Sequence, residues 1–132
     1  MKNNKNISLF DCSRSKHDVE MISDIFKSGN IAAGDDVNFL ENSLKEYFNS
    51  YDAFTFSDMT SALYTLFRAV GIKEGDEVLC ASFNCLSSTS AISAIGAKAT
   101  WIDLRDDYPA MSLDDCKSKI NPNTKAILLS HI

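Results

Sequence analysis

Residues 77–104, EVLCASFNCLSSTSAISAIGAKATWIDL, hold two short apolar runs on either side of a small-residue stretch that closes on a glycine. Glu77–Ala81 is short, apolar and bounded by polar turn residues, which predicts a strand. Ser87–Ile95 has the composition of a tightly packed helix, with Gly96 placed to end it. Ala99–Leu104 predicts a second strand. Strand, helix, strand is the unit from which parallel sheets are built, because parallel neighbours need a crossover connection.

The same rhythm continues outward. Ser112–Ile120 predicts a short helix, with Ser112 and Asp115 spaced like a variant capping box. Asn121–Thr124, NPNT, is a turn, and Ala126–Ser130, AILLS, is another strand. Upstream, Thr60–Val70 carries Leu63, Leu66, Phe67 and Val70 at helical spacing and meets Gly71. The aromatic run Ala53–Ser57, AFTFS, predicts a strand before it. Two amphipathic helices precede that: Ser15–Ser28, with Val19, Ile22, Ile25 and Phe26 on one face, and Asp36–Asn49, opened by Gly34 and an acidic pair. The expected fold class is therefore α/β, a three-layer α/β/α arrangement on a mostly parallel sheet. Residues 1–50 form a helical amino-terminal segment and residues 51–132 the β/α units. The chain stops two residues after its last predicted strand, so it is expected to be the amino-terminal portion of a larger domain.

Bulk properties narrow the function. With 45% hydrophobic and 23% charged residues, the composition is that of one soluble globular unit. A net charge of −5 with scattered lysines argues against a nucleic-acid surface. No stretch approaches the roughly 20 apolar residues that span a bilayer. Cys12, Cys80, Cys85 and Cys116 show neither CxxC spacing nor nearby histidines, which speaks against zinc and for free thiols in a reducing cytoplasm.

In parallel sheets, ligands bind where strand carboxyl ends lead into helices. That rule makes Ser57–Thr60, Ser82–Ser88 and His131 the candidate rim. At Ser57–Thr60, Ser and Asp suit a helix cap. The unpaired N–H groups of the same helix end, with the Thr60 hydroxyl, also suit a phosphate. Capping is the commoner role, and the residues alone leave both open. No GxGxxG or GxxxxGK[ST] motif supports a dinucleotide or nucleoside-triphosphate cradle.

The order and spacing of several segments carry a wider pattern. Thr60-x-Ala62-Leu63, Gly75-Asp76-Glu77-Val78, Gly96-Ala97-Lys98 and Pro122-x-Thr124-Lys125-Ala126-Ile127, together with SGNIAAGDDVNFLENSLKEYF from Ser28, resemble the pyridoxal-phosphate-dependent sugar aminotransferases of the DegT/DnrJ/StrS type. The resemblance runs from about Ser28 to the end. It implies part of a fold-type-I large domain, a homodimer when full length, and transfer of an amino group, typically from glutamate, to a nucleotide-linked keto sugar. A related branch dehydrates sugars instead, and a non-catalytic truncated chain is the alternative from another class.

By that resemblance Met59 and Thr60 bind the cofactor phosphate through backbone N–H groups and the Thr hydroxyl. Asp58 beside them is counted in the same cofactor-binding set, mainly as the helix cap. Cys85 stands where an aromatic ring usually stacks on the pyridine, a loss on the order of 1 kcal/mol, and Met59 stands where Gly or Ala is usual. Asn84 and His131, with Asn30 and Ala32 in the NIAAG loop, are read as a substrate rim. Ser87 is read as a cap, and Arg68 and Arg105 as cations able in principle to meet a phosphate. The Schiff-base lysine has no match here, since Lys73, Lys98 and Lys125 flank strands as surface residues, so no catalytic residue is assigned. The family places the first large-domain strand at a sheet edge, away from the next three. AFTFS would then lack a neighbour, and the chain alone is expected to be marginally stable or rearranged.

Overall fold

A computed structural model describes residues 15–131. The chain forms two compact units, Met1–Phe54 and Thr55–Ile132.

Within the first, helix α1 covers Lys16–Ser28 and α2 covers Asp35–Tyr47. The start of α1 is fixed by a reciprocal cap. Asp18 N–H donates to Ser15 Oγ at 3.1 Å, and Ser15 N–H donates to the Asp18 carboxylate at 2.7 Å. Gly29 ends it with φ +77°, a left-handed conformation that costs a β-carbon-bearing residue. Helix α2 has no side-chain cap, but Asp35 and Asp36 place negative charge in its first turn. No side chain of either helix is buried.

The second unit is built on a three-stranded parallel sheet. Its elements are α3 (Met59–Ala69), β1 (Glu77–Ala81), α4 (Leu86–Ala94), β2 (Lys98–Ile102), α5 (Leu113–Lys119) and β3 (Thr124–Leu128). The strand order is β2-β1-β3, with Glu77 level with Lys98 on one side and Thr124 on the other. Strand β1 is central and buried along its whole length, which is why Val78–Ala81 reads as an unbroken apolar run. Alternate residues of β1 serve opposite faces. Val78 and Cys80 join Phe67 of α3 and Ala91 and Ile92 of α4 in one core. Leu79 joins Ile102 and Cys116 of α5 in another. Helices therefore cover both faces, as the three-layer expectation requires. The chain leaves β1 for β2 by way of α4 on one face and returns past β1 to β3 by way of α5 on the other. Reversing direction and face together keeps both crossovers of one hand.

One predicted strand is absent. Residues 53–56 adopt no regular structure, and Ser57 is a bend. A strand exists only through ladder hydrogen bonds to a neighbour, and residues 53–56 pair with none of β2, β1 and β3. Aromatic β-propensity alone, without a paired neighbour, makes no strand. Two cap readings also change. Asp115 N–H donates to Ser112 Oγ at 3.3 Å, but the Asp115 carboxylate accepts from Asp103 N–H and Lys119 Nζ, both at 2.7 Å, so the box is not reciprocal. The N-cap of α4 is Cys85, two residues before Ser87.

The amino-terminal ends of the strands are tied by one carboxylate. Glu77, nearly buried, accepts from Lys98 Nζ, Thr100 Oγ1 and Asn121 Nδ2, each at 3.0 Å, which links β1 to β2 and to the turn before β3. The Asn121 bond, then those of Lys98 and Thr100, hold its carboxyl below the ordinary glutamate value. A lowered folded-state value adds stability that is complete above the unfolded value, about 4.3, and is lost as pH falls through the folded one. Glu77→Gln should thus lower the thermal midpoint at pH 7, and the gap to wild type should narrow as melts are run progressively below pH 4.3. A gap independent of pH would show that the charge of Glu77 contributes nothing.

Candidate functional site at the strand carboxyl ends

The reversal in strand order falls at β1, and a cavity of about 350 Å³ lies there, lined by Phe83, Asn84 and Cys85 after β1 and by Ser130 and His131 after β3. Two helix amino-termini meet beside it. Cys85 is both the N-cap of α4 and part of the cavity lining. The Thr60 hydroxyl in the first turn of α3 donates to the Ser87 backbone carbonyl in the first turn of α4 at 3.1 Å. The contact between the two helices behind this bond is an apolar one, with Leu63 and Phe67 of α3 and Ala91 and Ile92 of α4 in one cluster. Convergent amino-termini concentrate unpaired N–H groups and partial positive charge in one place.

Asp58 is the N-cap of α3 and is fully engaged. Its carboxylate accepts from Ser61 N–H at 2.9 Å, Ser61 Oγ at 2.8 Å and Ser57 Oγ at 3.1 Å. These bonds, that of the Ser61 N–H foremost, hold its carboxyl below the ordinary aspartate value. Met59 is the first residue of α3, and its side chain stands out into solvent. Its N–H, and that of Thr60, belong to the helix end that has no intrahelical acceptor. The Thr60 hydroxyl proton goes to Ser87, so this side chain is a tie between helices first.

Around the cavity, Asn84 Oδ1 accepts the Cys85 N–H at 2.8 Å, which fixes the amide orientation. Its Nδ2 is buried without a partner. An unsatisfied buried donor is costly, and in a cavity wall it marks a place for an acceptor. The exposed Cys85 thiol accepts from Ser87 Oγ at 3.1 Å. That bond, with the Ser87 and Leu86 N–H groups at the helix end, lowers its value below the ordinary thiol range. By contrast Cys80 is buried in the core, and burial pushes its thiol up.

Of the residues expected at the site, Asp58, Met59 and Thr60 lie on the first turn of α3 or its cap, and Asn84, Cys85 and His131 share the cavity. Asn30 and Ala32 lie in the α1–α2 connection of the first unit, where Asn30 N–H donates to Ser28 Oγ. Ser130 was missed by sequence reasoning, because a strand expected to run through Ser130 ends at Leu128, which leaves Ser130 free to line the cavity. Arg105 is held by Asp107 in a two-point pair at 2.9 and 2.7 Å. It lines a larger hollow of about 570 Å³ together with Asp103, Asp106, Asp107 and Asp115. Four carboxylates against one paired guanidinium would repel an anionic ligand, so the smaller cavity is the better anion site.

Residues 13–132 match the model of the DegT/DnrJ/EryC1/StrS aminotransferase family. The chain belongs to this family. It is 31% identical over 129 residues to the GDP-perosamine synthase of Escherichia coli O157:H7, which covers 97% of the chain and 35% of that enzyme. It is 29% identical to the GDP-perosamine synthase of Vibrio cholerae, over 96% of the chain and 35% of the relative. Among solved structures, a Streptococcus pneumoniae protein described as a sugar aminotransferase, in its PLP-form, superposes with a TM-score of 0.85 at 26% identity, over 92% of the chain and 31% of that structure. An E. coli GDP-4-keto-6-deoxy-D-mannose-3-dehydratase superposes with a TM-score of 0.84 at 19% identity, which shows the shared fold. The family chain described here spans about a third of the length of these relatives.

Proposed function

We propose that this chain is the cofactor-anchoring portion of a pyridoxal-phosphate-dependent enzyme that moves an amino group, from a donor such as glutamate, to a nucleotide-linked keto sugar. The observation that carries this reading is the convergence of the α3 and α4 amino-termini, joined by the Thr60–Ser87 bond, beside the cavity at the β1 and β3 carboxyl ends. Its donor set fits the group. The Met59 and Thr60 N–H groups would hold the phosphate, and Cys85 would lie against the pyridine, where a soft thiol packs less firmly than an aromatic ring. Asn84, with its partnerless buried Nδ2, and His131 would face the ring or the substrate.

When bound, the cofactor supplies the electron sink for amino transfer, while the protein supplies position and electrostatics. Within residues 1–132 the assigned roles are binding and orientation. The Thr60–Ser87 bond keeps the two helix ends in register. Such enzymes act as homodimers in the reading adopted here, in the cytoplasm. No helix among the described residues is long and apolar enough to cross a membrane.

Pyridoxamine 5′-phosphate is the apt probe, because it has no aldehyde to react with surface lysines. Equilibrium dialysis of the protein should show one-to-one binding that inorganic phosphate reverses, with pyridoxamine bound at least about tenfold more weakly, since it lacks the charged group that a helix end favours. Equal retention of the two compounds, or of neither, would reject the reading.

A further inference from the structure

We infer that Asp58 is a resident anion in the phosphate cradle, one that competes with the cofactor for the α3 amino-terminus and holds its affinity down. The inference rests on the cofactor reading above and adds a residue that works against binding. Three hydroxyls surround the first turn of α3, and all are committed. Ser57 Oγ and Ser61 Oγ donate to the Asp58 carboxylate at 3.1 and 2.8 Å, and Thr60 Oγ1 donates to Ser87. The Ser61 N–H, which would otherwise point out of the helix end, also goes to Asp58. The carboxylate thus takes two hydroxyl donors and one amide donor from the surface where a phosphate would settle. It also sets a full negative charge at the N-cap, beside a helix end that favours one anion and where two repel each other.

A neutral cap keeps the helix and removes the competitor. Asn and Ser are both good N-caps, and both lack the charge. With Asn one oxygen still accepts the Ser61 N–H, and the hydroxyls of Ser57 and Ser61 are no longer drawn to a second anionic oxygen. With Ser the capping side chain is smaller still and leaves more room for the phosphate. Two like charges a few ångströms apart in water-like surroundings, as at the exposed Asp58, together with the freed donors, correspond to a change on the order of tenfold in affinity. The change should shrink at high ionic strength, because exposed charges are screened over about 10 Å at 0.1 M salt.

The test is equilibrium dialysis of wild type, Asp58→Asn and Asp58→Ser against pyridoxamine 5′-phosphate and against pyridoxamine, with helix content checked by circular dichroism. Both variants should bind the phosphorylated compound about tenfold more tightly than wild type at low salt, with pyridoxamine unchanged. If wild type binds the phosphorylated compound and neither variant binds it more tightly, or if both compounds gain equally, the competition is disproved. If none of the three proteins distinguishes the phosphorylated compound from pyridoxamine, the cofactor reading itself fails, and this inference with it.

Discussion

Ile92→Ala should destabilise the protein by about 3 kcal/mol, within the ~2–5 kcal/mol range for a large aliphatic side chain cut back in a packed core. Ile92 is fully buried in the cluster where α3 and α4 meet the sheet, with Phe67, Val78, Cys80 and Ala91 around it. Removing three carbons there takes apolar area out of the core and leaves a void that the parallel sheet cannot collapse into. The effect should also be read at the site. Helix α4 carries Cys85 and Ser87 at its amino-terminal end, so a loosened α4 weakens the Thr60–Ser87 tie and the cavity wall together. Denaturant unfolding should show the loss, and pyridoxamine 5′-phosphate affinity at a denaturant-free temperature well below the melt should fall as well.

Leu79→Ala should lose a similar amount, roughly 2–5 kcal/mol, but with a different signature. Leu79 is fully buried on the opposite face of β1, against Ile102 and Cys116 under α5. Helix α5 bears none of the residues assigned to the cofactor. Unfolding should report the destabilisation, while ligand affinity of the folded fraction stays close to wild type. Because the two clusters lie on opposite faces of the sheet and share no buried residue, the double variant should lose close to the sum. Equal loss of affinity in both single variants would mean that the two faces do not act separately.

Much of this fold was legible from local signals. Gly29 and Gly96 both take left-handed φ at the helix ends where they were expected. At Gly96 a β-carbon would come within 3.2 Å of Glu74 Cβ, so close packing adds to the conformational reason. Glu77–Ala81 was read to the residue, because a central parallel strand is apolar throughout and sharply bounded. AFTFS failed because propensity is local and pairing is not. Nothing within those five residues says whether an edge is available. Strand β3 lies two residues earlier than expected, since Thr124 looks like turn but pairs with Glu77, and Lys125 follows it at a register shift.

The site divides in the same way. Asp58 as a cap follows from residue type, and the structure gives it three donors. That the Thr60 hydroxyl faces Ser87, 27 residues on, could not be read from spacing, because it depends on how α3 and α4 pack. Ser87 likewise looked like a cap, yet Cys85 takes that place, and Ser87 Oγ turns back to the thiol. The buried, partnerless Nδ2 of Asn84 has no signature in sequence at all.

The central claim, that the α3 amino-terminus holds the cofactor phosphate while the adjoining α4 amino-terminus lies against its ring, is tested most directly by backbone amide chemical shifts during titration with pyridoxamine 5′-phosphate. The largest shifts should fall on the Met59, Thr60 and Ser61 amides and on Cys85 to Ser88, with inorganic phosphate moving the α3 subset alone. Shifts centred instead on Asp103–Asp107, or spread without a maximum at either helix end, would contradict it.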